Sequence, residues 1–455
     1  MNLDGKKFLV MGTGISGIAA AELLAGHKFP VILYDEKETQ TQAAVREKSP
    51  FLKNVEILLG ELPDQVLKSC DIAILSPGVP IDIPVVKRMQ AAGMEIWGEI
   101  ELASVFEQGR VLAITGTNGK TTTTTLLGEI MKHAGLDVKV VGNIGIPYTS
   151  LVTDTTEESV TVAEISSFQL ETVHKFSPQI SAILNITPDH LNRHHTMENY
   201  CEAKERITAN QGKEQICVLN YEDPLLQEFA RQVEAQVVFF SSQRELAEGI
   251  YLDGEEIIWA WKGKKTLVCQ IEELPLIGKH NYENVMAAAA MALLAGVSLE
   301  KIKEVLFSFT GVEHRIEYVA MKKGVRFYND SKGTNPDAAI QAVLAMKWPT
   351  LLIGGGYDKE SEYDDWIRAF HGKVKKLVLL GATREKIKET AVDLGYPPED
   401  IILTDTLQEA VDVCVEYAED GDAVLLSPAC ASWGMFQNYE QRGEVFKAAV
   451  RALPE

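Results

Sequence analysis

The sequence predicts an α/β protein of three domains, in which largely parallel sheets are flanked by helices. Short apolar runs of strand length alternate with helical stretches over almost the whole chain, a pattern typical of parallel sheets. Glycine-rich or polar loops directly follow many of these runs, as they do at the carboxyl ends of parallel strands. The chain has 455 residues, and a domain size of about 150 residues indicates three hydrophobic cores.

The first domain, residues 1–98, carries a glycine-rich pattern of the Rossmann type. An expected strand from Lys7 to Met11 leads into the loop Gly12 to Gly17, and a helix is expected from Ile18 to Ala25. A second strand, Val31 to Tyr34, ends at Asp35. Glycines in such a loop let a diphosphate approach the helix N-terminus, and the acid binds a ribose.

Alone, this pattern would suggest an NAD- or FAD-dependent oxidoreductase. The stretch before the next nucleotide loop is too short for the two halves of a full dinucleotide fold. A further anion-binding loop, Ser76 to Pro80, follows the expected strand Ile72 to Leu75. We therefore expect this domain to hold a nucleoside diphosphate attached to another group, with a tight ligand-free turn as the structural alternative.

The second domain, residues 99–311, contains the most informative stretch, Thr115-Gly116-Thr117-Asn118-Gly119-Lys120-Thr121. It lies between an expected strand, Val111 to Ile114, and an expected helix. Backbone N–H groups of such a loop bind phosphate, the lysine neutralises the β- and γ-phosphates, and the last hydroxyl ligates Mg²⁺. Ile114 stands where the usual pattern has a glycine, so the loop is a shortened variant. The stretch predicts ATP binding.

Polar side chains lie just past two other expected strands of this domain. Glu164 lies near the end of the strand Val160 to Ile165, and His190 follows the strand Ile180 to Asn185. Both suit Mg²⁺ chemistry on a triphosphate, but a solvated acid and a helix-capping or hydrogen-bonded histidine are alternatives at least as well supported by each residue alone.

Two features complete the second domain. Residues Ile250 to Ile271 predict a small antiparallel meander beside the parallel sheet. Gly278 to Asn284 opens an alanine-rich helix, where the polar residues either cap the helix or contact a purine.

The third domain, residues 312–455, repeats strand, loop and helix in a second Rossmann-like unit. Strands are expected at Val325 to Asn329, Leu351 to Ile353, Lys376 to Leu380 and Asp422 to Leu426. Their loops should meet at one edge of one sheet. Four residues of these loops suit the carboxylates of a small acidic substrate: Lys332, Thr334, Lys359 and Ser432.

Composition excludes several classes of function. A formal charge of −21 argues against sequence-independent binding to nucleic acid or anionic lipid. No apolar run approaches the length of about 20 residues that a membrane span needs, and we expect no signal peptide. The six cysteines form no C-x-x-C pair, so we expect reduced thiols in a cytoplasmic protein rather than zinc or disulfides.

These motifs together resemble the Mur ligase family, the ATP-dependent amide ligases that build the peptidoglycan stem peptide. The resemblance spans essentially the whole chain. It rests on residues 115–121, Gly142-Asn143-Ile144-Gly145, Glu164 to Glu171, Asp189-His190, Glu313 to Glu317, Asn329 to Asn335, Leu426 to Ser432 and Gln441-Arg442-Gly443. The blocks at Glu164 and Leu426 look like those of the D-glutamate-adding branch.

The resemblance implies an acid–D-amino-acid ligase of cell-wall biogenesis, a process that supports cell shape and division. It would join D-glutamate to UDP-N-acetylmuramoyl-L-alanine through an acyl phosphate and a tetrahedral intermediate, releasing ADP and phosphate. ATP and two Mg²⁺ ions are implied. The implied partners are small-molecule substrates, with no nucleic acid and no membrane insertion, and the implied form is a monomer.

The resemblance also implies roles for individual residues. Catalytic roles fall to Lys120, Glu164, His190 and Lys204, and metal binding to Thr121, Glu164, His190 and Lys204 as a carbamate. ATP would contact Gly116, Thr117, Asn118, Gly119, Lys120, Thr121, Thr122, Asn281, Arg315 and Asp330. The UDP-substrate would contact Gly14, Ile15, Ser16, Asp35, Asn143 and His190, and D-glutamate would contact Lys332, Thr334, Lys359, Ser432 and Tyr439.

From its sequence context alone, Lys204 looks like a solvent-facing helix lysine, so only the resemblance carries its carbamylation. If Arg315 and Asp330 complete the ATP site, a hinge is expected near residues 309–312. Other functions stay open from the sequence: a Mur-type ligase for another amino acid, a folylpolyglutamate-type ligase, an NAD-dependent oxidoreductase, or a non-catalytic nucleotide-binding regulator.

Overall fold

The computed structural model describes residues 3–37, 39–143 and 145–454. Within them, three sheets follow one another along the chain, and most neighbouring strands in them are parallel. The predicted fold class is therefore confirmed. Within the described part of the chain, no helix has the length and apolarity required to cross a membrane.

The first sheet has the order β3-β2-β1-β4-β5. Its strands are β1 (Phe8–Met11), β2 (Val31–Asp35), β3 (Glu56–Leu59), β4 (Ile72–Leu75) and β5 (Glu95–Gly98). The helices of this part are α1 (Ile15–Gly26), α2 (Gln42–Glu47), α3 (Asp64–Ser69), α4 (Pro84–Ala91) and α5 (Glu99–Phe106). All pairings in the sheet are parallel, so the loops after β1, β2 and β4 lie at one edge.

Helix α1 begins at Ile15, three residues before the start that the sequence predicted. Gly14 is its N-cap, so Gly17 lies inside the first turn rather than in the loop. A Cβ atom at Gly17 would lie 1.9 Å from the carbonyl oxygen of Gly12. The glycine is therefore required for the close approach of the helix to the loop.

We expect Gly17→Ala to lower the free energy of unfolding by about 2 kcal/mol, because the added methyl group overlaps backbone that cannot move without disturbing the sheet. Urea unfolding followed by circular dichroism measures this change. Gly26→Ala on the same helix is the matched control, since its Cβ would have no atom within 4 Å. Equal unfolding midpoints for the two variants would contradict the expectation.

The second sheet has the order β14-β13-β12-β11-β10-β9-β6-β8-β7. Its strands are β6 (Arg110–Thr115), β7 (Val138–Gly142), β8 (Val160–Glu164), β9 (Ile180–Ile183), β10 (Ile216–Asn220), β11 (Gln236–Ser241), β12 (Gly249–Asp253), β13 (Glu256–Trp261) and β14 (Lys264–Gln270). Its helices are α6 (Lys120–His133), α7 (Tyr148–Leu151), α8 (Ser167–Leu170), α9 (Leu191–His194), α10 (Met197–Glu205), α11 (Pro224–Phe229), α12 (Lys279–Leu294) and α13 (Leu299–Leu306).

The predicted meander is β12 to β14, which pair antiparallel. The sequence placed it beside the parallel sheet, but the structure makes it a continuation of that sheet, because β12 pairs parallel with β11. At the centre, β6 lies between β8 and β9. The loops after these three parallel strands therefore meet at one edge of the sheet.

The first and second sheets share one hydrophobic core. It includes Phe8 and Leu24 from the first sheet and its helices, and Tyr148 and Phe176 from the second. Helix α1 contacts α7 directly. These two parts of the chain therefore form one compact unit, which comprises the residues through Ile271 together with Glu283–Leu306.

The third sheet has the order β15-β16-β20-β17-β18-β19. Its strands are β15 (Glu317–Lys322), β16 (Val325–Asn329), β17 (Thr350–Gly354), β18 (Val374–Leu379), β19 (Ile401–Leu403) and β20 (Ala423–Leu426). Its helices are α14 (Pro336–Ala345), α15 (Asp364–Arg368), α16 (Arg384–Asp393), α17 (Leu407–Tyr417) and α18 (Tyr439–Arg451). The sequence analysis missed the edge strands β15 and β19, and β15 is antiparallel to β16.

The third sheet belongs to a second compact unit, which comprises Glu272–Tyr282 and the chain from Phe307 onward. The chain passes between the units at three points. One of them, between Leu306 and Phe307, lies just before residues 309–312, where the sequence predicts a hinge.

Candidate active site

The phosphate-loop motif spans the turn between β6 and α6. Gly116 has φ 148° and Gly119 has φ 86°, and Gly119 is the N-cap of α6. Asn185, which follows the neighbouring strand β9, holds this loop in place through two hydrogen bonds. Its side-chain oxygen accepts from the Asn118 amide at 2.8 Å, and its carbonyl oxygen accepts from the Thr117 amide at 2.9 Å. The loop is thus held open at a helix N-terminus, where anions bind.

Two lysine side chains converge on one carbonyl oxygen in this loop. Lys120 Nζ donates to the Gly116 oxygen at 2.9 Å and to the Thr117 oxygen at 2.9 Å. Lys204 Nζ, which reaches the loop from α10, donates to the same Gly116 oxygen at 2.7 Å. Two ammonium groups this close repel each other, so the arrangement favours the loss of a proton from one of them.

Lys204 has a lowered affinity for its proton. Only 2 % of the residue is exposed, so the expectation of a solvent-facing lysine was wrong. Burial lowers the pKa of its ammonium group well below the ordinary value, and the charge of Lys120 lowers it further. The helix sequence alone did not predict this burial, because the Gly116 oxygen that Lys204 contacts lies in a distant loop.

Glu164 ends β8 next to β6 and is also buried, with 2 % exposed, so the alternative of a solvated acid was wrong. Asn143 Nδ2 donates to its Oε1 atom at 2.8 Å, while Ile144 of the same motif lies outside the described residues. The Oε2 atom is buried and has no hydrogen-bond partner among the described residues. A buried carboxylate oxygen without a donor is suited to a cation.

The threonines after Lys120 are buried at the start of α6. Thr121 and Thr122 are both buried, and Thr122 Oγ1 has no hydrogen-bond partner within the part of the chain that the structure describes. Both hydroxyl groups therefore belong to the same loop-to-helix junction as Lys120.

His190 is the N-cap of the short helix α9, with φ 53°, although its side chain makes no capping bond. The imidazole is half exposed, lies 3.4 Å from the Asp189 carboxylate and contacts the Phe168 ring at a centroid distance of 4.9 Å. The ring is thus held at the edge where β8 and β9 end and is open to solvent on one side.

The glycine-rich loop of the first sheet borders a separate cavity of about 410 Å³, lined in part by Gly14, Ile15 and Lys48. Asp35 accepts from the Thr13 amide at 2.9 Å and from its hydroxyl at 2.7 Å. Burial raises the pKa of Asp35, but hydrogen bonds from Lys37 and Thr13 outweigh it and the net pKa is lowered. Ser16, at the start of α1, is half-buried beside this loop.

Three further predicted ATP ligands lie in the second unit. Asp330 is buried, and it accepts from Ser427 Oγ at 2.7 Å and from the Ile316 amide at 3.2 Å. Arg315 is half-buried, and its charge acts on Asp330. Asn281 is buried near the start of α12, where Nδ2 donates to the Ile277 oxygen at 2.8 Å.

Burial raises the pKa of Asp330 to about 7, against the lowering effects of Ser427 and Arg315. The native state then holds this proton at pH values where the unfolded chain, with a pKa of about 3.9, has lost it. We therefore expect the wild type to lose stability as pH rises from about 4 to 7, relative to Asp330→Asn, which cannot ionise. Thermal unfolding of both proteins across this range tests the difference, and parallel pH profiles would contradict it.

The predicted glutamate ligands come from three loops of the third sheet. Lys332 and Thr334 follow β16, Lys359 follows β17, and Ser432 follows β20, so adjacent strands bring them to one edge. Lys332 Nζ lies 5.6 Å from the centroid of the Tyr439 ring. Ser432 is buried, while Lys359 is exposed.

The chain matches models of a known protein family. Three family models match consecutive segments: a Mur ligase MurD-like N-terminal domain at residues 6–98, a Mur ligase middle domain at residues 114–292, and a Mur ligase glutamate ligase domain at residues 314–430. Together they cover most of the chain. The chain belongs to the Mur ligase family.

Similar Mur ligases cover the chain from end to end. A UDP-N-acetylmuramoylalanine--D-glutamate ligase of Lachnoclostridium phytofermentans is 56 % identical over 455 residues, which is 100 % of both chains. Enzymes of the same name from Lachnospira eligens and Thermoanaerobacter sp. are 53 % and 49 % identical, again over 100 % of both chains. The resemblance drawn from the motifs is thereby confirmed.

Solved Mur ligases share the fold at lower identity. The UDP-N-acetylmuramate-alanine ligase of Thermotoga maritima has a TM-score of 0.60 at 19 % identity, covering 98 % of this chain and 99 % of that one. The MurF ligase of Thermotoga maritima in complex with ADP has a TM-score of 0.58 at 18 % identity, covering 99 % and 97 %. These likenesses support the fold assignment.

Tyr200 contacts the candidate site but was not singled out by the sequence analysis. Its hydroxyl lies 3.1 Å from Thr117 Oγ1, and Lys204 Nζ lies 4.7 Å from the centroid of its ring. Tyr200 and Lys204 are four residues apart on α10, a spacing that puts them on one helix face. That spacing is the sequence feature from which a contact between Tyr200 and Lys204 could have been predicted.

Arg193 and Glu171 were also missed. Arg193 makes two hydrogen bonds to the Glu171 carboxylate, at 2.6 and 3.2 Å, and one to the Val79 oxygen at 3.1 Å. The arginine thereby ties the loop after β4 to the loop that carries His190. No local sequence pattern predicts this contact, because the three residues lie far apart in the chain.

Proposed function

We propose that this Mur ligase uses ATP to join D-glutamate to UDP-N-acetylmuramoyl-L-alanine in peptidoglycan precursor synthesis. The observation that supports it most is the convergence of Lys120 and Lys204 on the Gly116 oxygen, beside Glu164 with its unpartnered buried oxygen. This cluster combines a phosphate-binding loop with groups that can hold cations, as an enzyme of phosphoryl transfer needs.

The proposed reaction has two steps. The carboxylate of the UDP-substrate attacks the γ-phosphorus of ATP, which forms an acyl phosphate and releases ADP. The amine of D-glutamate then attacks the activated carbonyl carbon, loses a proton, and expels phosphate from a tetrahedral intermediate. The protein contributes mainly by positioning the reactants and by neutralising charge on the transferring phosphoryl group.

We assign phosphate binding to the loop residues Gly116, Thr117, Asn118 and Gly119, with Lys120 neutralising the β- and γ-phosphates and Thr122 beside them. Asn281, Arg315 and Asp330 of the second unit are assigned to the nucleotide as well. Residues 1–98, 99–311 and 312–455 are proposed to bind the UDP-substrate, ATP and the amino acid, respectively.

Magnesium fits the residues near the loop. Thr121 offers a hydroxyl and Glu164 a buried carboxylate oxygen that lacks a donor among the described residues, and hard oxygen ligands of this kind suit Mg²⁺. His190 and a carbamate on Lys204 would complete a second site. Bound Mg²⁺ would offset negative charge on the transferring phosphoryl group.

The UDP-substrate is assigned to the loop at Gly14, Ile15 and Ser16, with Asp35 at the ribose. Helix α1 has no acidic residue in its first turn and no side-chain cap at Gly14, so its first N–H groups suit a diphosphate. Asn143 and His190 are assigned to the far end of this substrate. Lys332, Thr334, Lys359, Ser432 and Tyr439 are assigned to D-glutamate.

The proposal is tested by measuring ADP and phosphate release with ATP, Mg²⁺, UDP-N-acetylmuramoyl-L-alanine and D-glutamate, omitting each in turn. Release is expected only when all are present. L-glutamate, L-alanine and a diamino acid serve as matched controls in place of D-glutamate. Turnover with one of these amino acids but not with D-glutamate would show a ligase of different specificity.

We further propose a cytoplasmic monomer. Five cysteines, at positions 70, 201, 217, 414 and 430, are free thiols, and four of these five are buried, which fits a reducing compartment. Light scattering coupled to size exclusion measures the mass in solution, and a mass twice that of one chain would contradict the monomer.

A further inference from the structure

An exposed aromatic pair lies among the loops assigned to glutamate. Trp433 and Tyr357 are 55 % and 45 % exposed, and their ring centroids are 5.5 Å apart. In the same unit, Trp366 and Tyr363 are fully buried in the core, whereas Tyr318 and Tyr417 are exposed but lie outside these loops. Large aromatic groups left in solvent beside a candidate binding site call for a functional explanation.

The ammonium group of Lys359 lies over this pair. Lys359 Nζ is 5.2 Å from the centroid of the Trp433 ring. The neighbouring Asp358 is directed elsewhere, because its carboxylate lies 3.4 Å from Lys386 Nζ and accepts from the Glu360 amide. No carboxylate among the described residues forms an ion pair with Lys359. An aromatic face attracts a cation without neutralising its charge.

The loops that carry these residues are fastened to each other. The Tyr357 amide donates to the Ala431 oxygen at 2.9 Å. A Cβ atom added at the adjacent Gly356 would lie 2.4 Å from that same oxygen, so the backbones of the two loops are in close contact. The buried Arg442 binds the Cys430 oxygen at 3.0 Å and the Ser331 oxygen at 2.8 Å, which joins the third loop to the others. The position of Trp433 relative to the glutamate loops is therefore well defined.

We propose that Trp433 is a positioning residue, which holds the Lys359 ammonium group ready for a carboxylate of the incoming amino acid. The inference rests on the proposed function and goes beyond it, because it assigns Trp433 a role in selecting a dicarboxylic amino acid. A lysine side chain has many rotamers, and a fixed aromatic face limits them before the substrate arrives. Tyr357 contacts Trp433 and supports its ring from the neighbouring loop.

The test compares steady-state kinetics of Trp433→Leu, Trp433→Phe, Lys359→Gln and the double variant Trp433→Leu/Lys359→Gln. We expect Trp433→Leu to raise KM for D-glutamate about fourfold, the size expected for an exposed cation–π contact, with little change in kcat or in KM for ATP. Trp433→Phe keeps an aromatic face and should restore most of the affinity. In the double variant, removal of the tryptophan should add little, because its effect acts through Lys359.

Tyr417→Leu is the matched control, since Lys376 Nζ lies 5.1 Å from the Tyr417 ring outside these loops. This variant should leave KM for D-glutamate unchanged. An unchanged KM in Trp433→Leu, or full additivity in the double variant, would overturn the role of Trp433 while leaving the proposed function intact. A wild type that releases no ADP with D-glutamate would overturn the proposed function and this inference together.

Discussion

Lys120→Ala is expected to lower kcat/KM for ATP by about 10³-fold, the loss seen when one preorganised charge-stabilising donor is removed from a transition state. Lys120 begins α6, and its ammonium group binds the Gly116 and Thr117 carbonyl oxygens of the phosphate loop. A γ-phosphoryl group in transfer carries charge that the loop amides alone do not balance. Coupled-assay kinetics with varied ATP measure the change.

Lys132→Ala is the matched control for this prediction. Lys132 lies on the same helix, where its exposed side chain forms a surface ion pair with Glu129 at 3.0 Å. Exposed pairs of this kind contribute little, so its rate should equal that of the parent. If Lys120→Ala turned over as fast as Lys132→Ala, the assignment of the loop to ATP would fail, provided that circular dichroism shows both variants folded.

The phosphate loop could be predicted from sequence because everything it needs is contiguous. Glycines, lysine and threonine stand between one apolar run and one helical run, and the structure has β6 and α6 there. The four principal strands of the third sheet were found in the same way, since each is a buried parallel strand with a polar loop after it. Edge strands β15 and β19 were missed because strands with little core contact lack a long apolar run.

The environment of Lys204 could not be predicted from sequence, because it depends on residues distant in the chain. Its partner, the Gly116 oxygen, is 88 residues away. Every residue has a backbone carbonyl group, so residue types do not show which of these groups will accept a hydrogen bond from the lysine. The same holds for Glu164, whose neighbour Asn143 is 21 residues away on another strand's loop. Local patterns predict helices and strands, whereas burial of a charged group follows from how those elements pack.

Lys204→Met is expected to lower kcat by about 10³-fold, because the anionic ligand proposed for a second Mg²⁺ would be lost, and with it charge stabilisation of the transferring phosphoryl group. The lowered pKa gives the physical reason why Lys204 rather than another lysine would be modified. CO₂ adds only to a neutral amine, and a lysine with the ordinary pKa of about 10.4 is neutral in roughly one molecule per thousand at pH 7.4. Burial and the charge of Lys120 raise that neutral fraction at Lys204.

A readout independent of activity separates the carbamate from a merely structural role. With ¹³C-labelled bicarbonate, the wild type should show a carbamate carbonyl resonance that is absent in Lys204→Met and retained in Lys132→Ala. Removal of CO₂ from the buffer should slow the wild type, and bicarbonate should restore it. The pH dependence of the carbamate resonance follows from the same pKa. The resonance should weaken as pH falls, because a proton competes with CO₂ for the amine.

Methionine is close in size to lysine without its amine, so Lys204→Met should fold. We expect it to be at least as stable as the wild type, because a buried amine costs free energy that a thioether does not. A folded Lys204→Met with the parent rate would show that the amine is dispensable. If Lys204→Met is slow but the wild type shows no labelled carbamate, Lys204 acts as an unmodified amine beside Lys120, and the assignment of a carbamate is wrong.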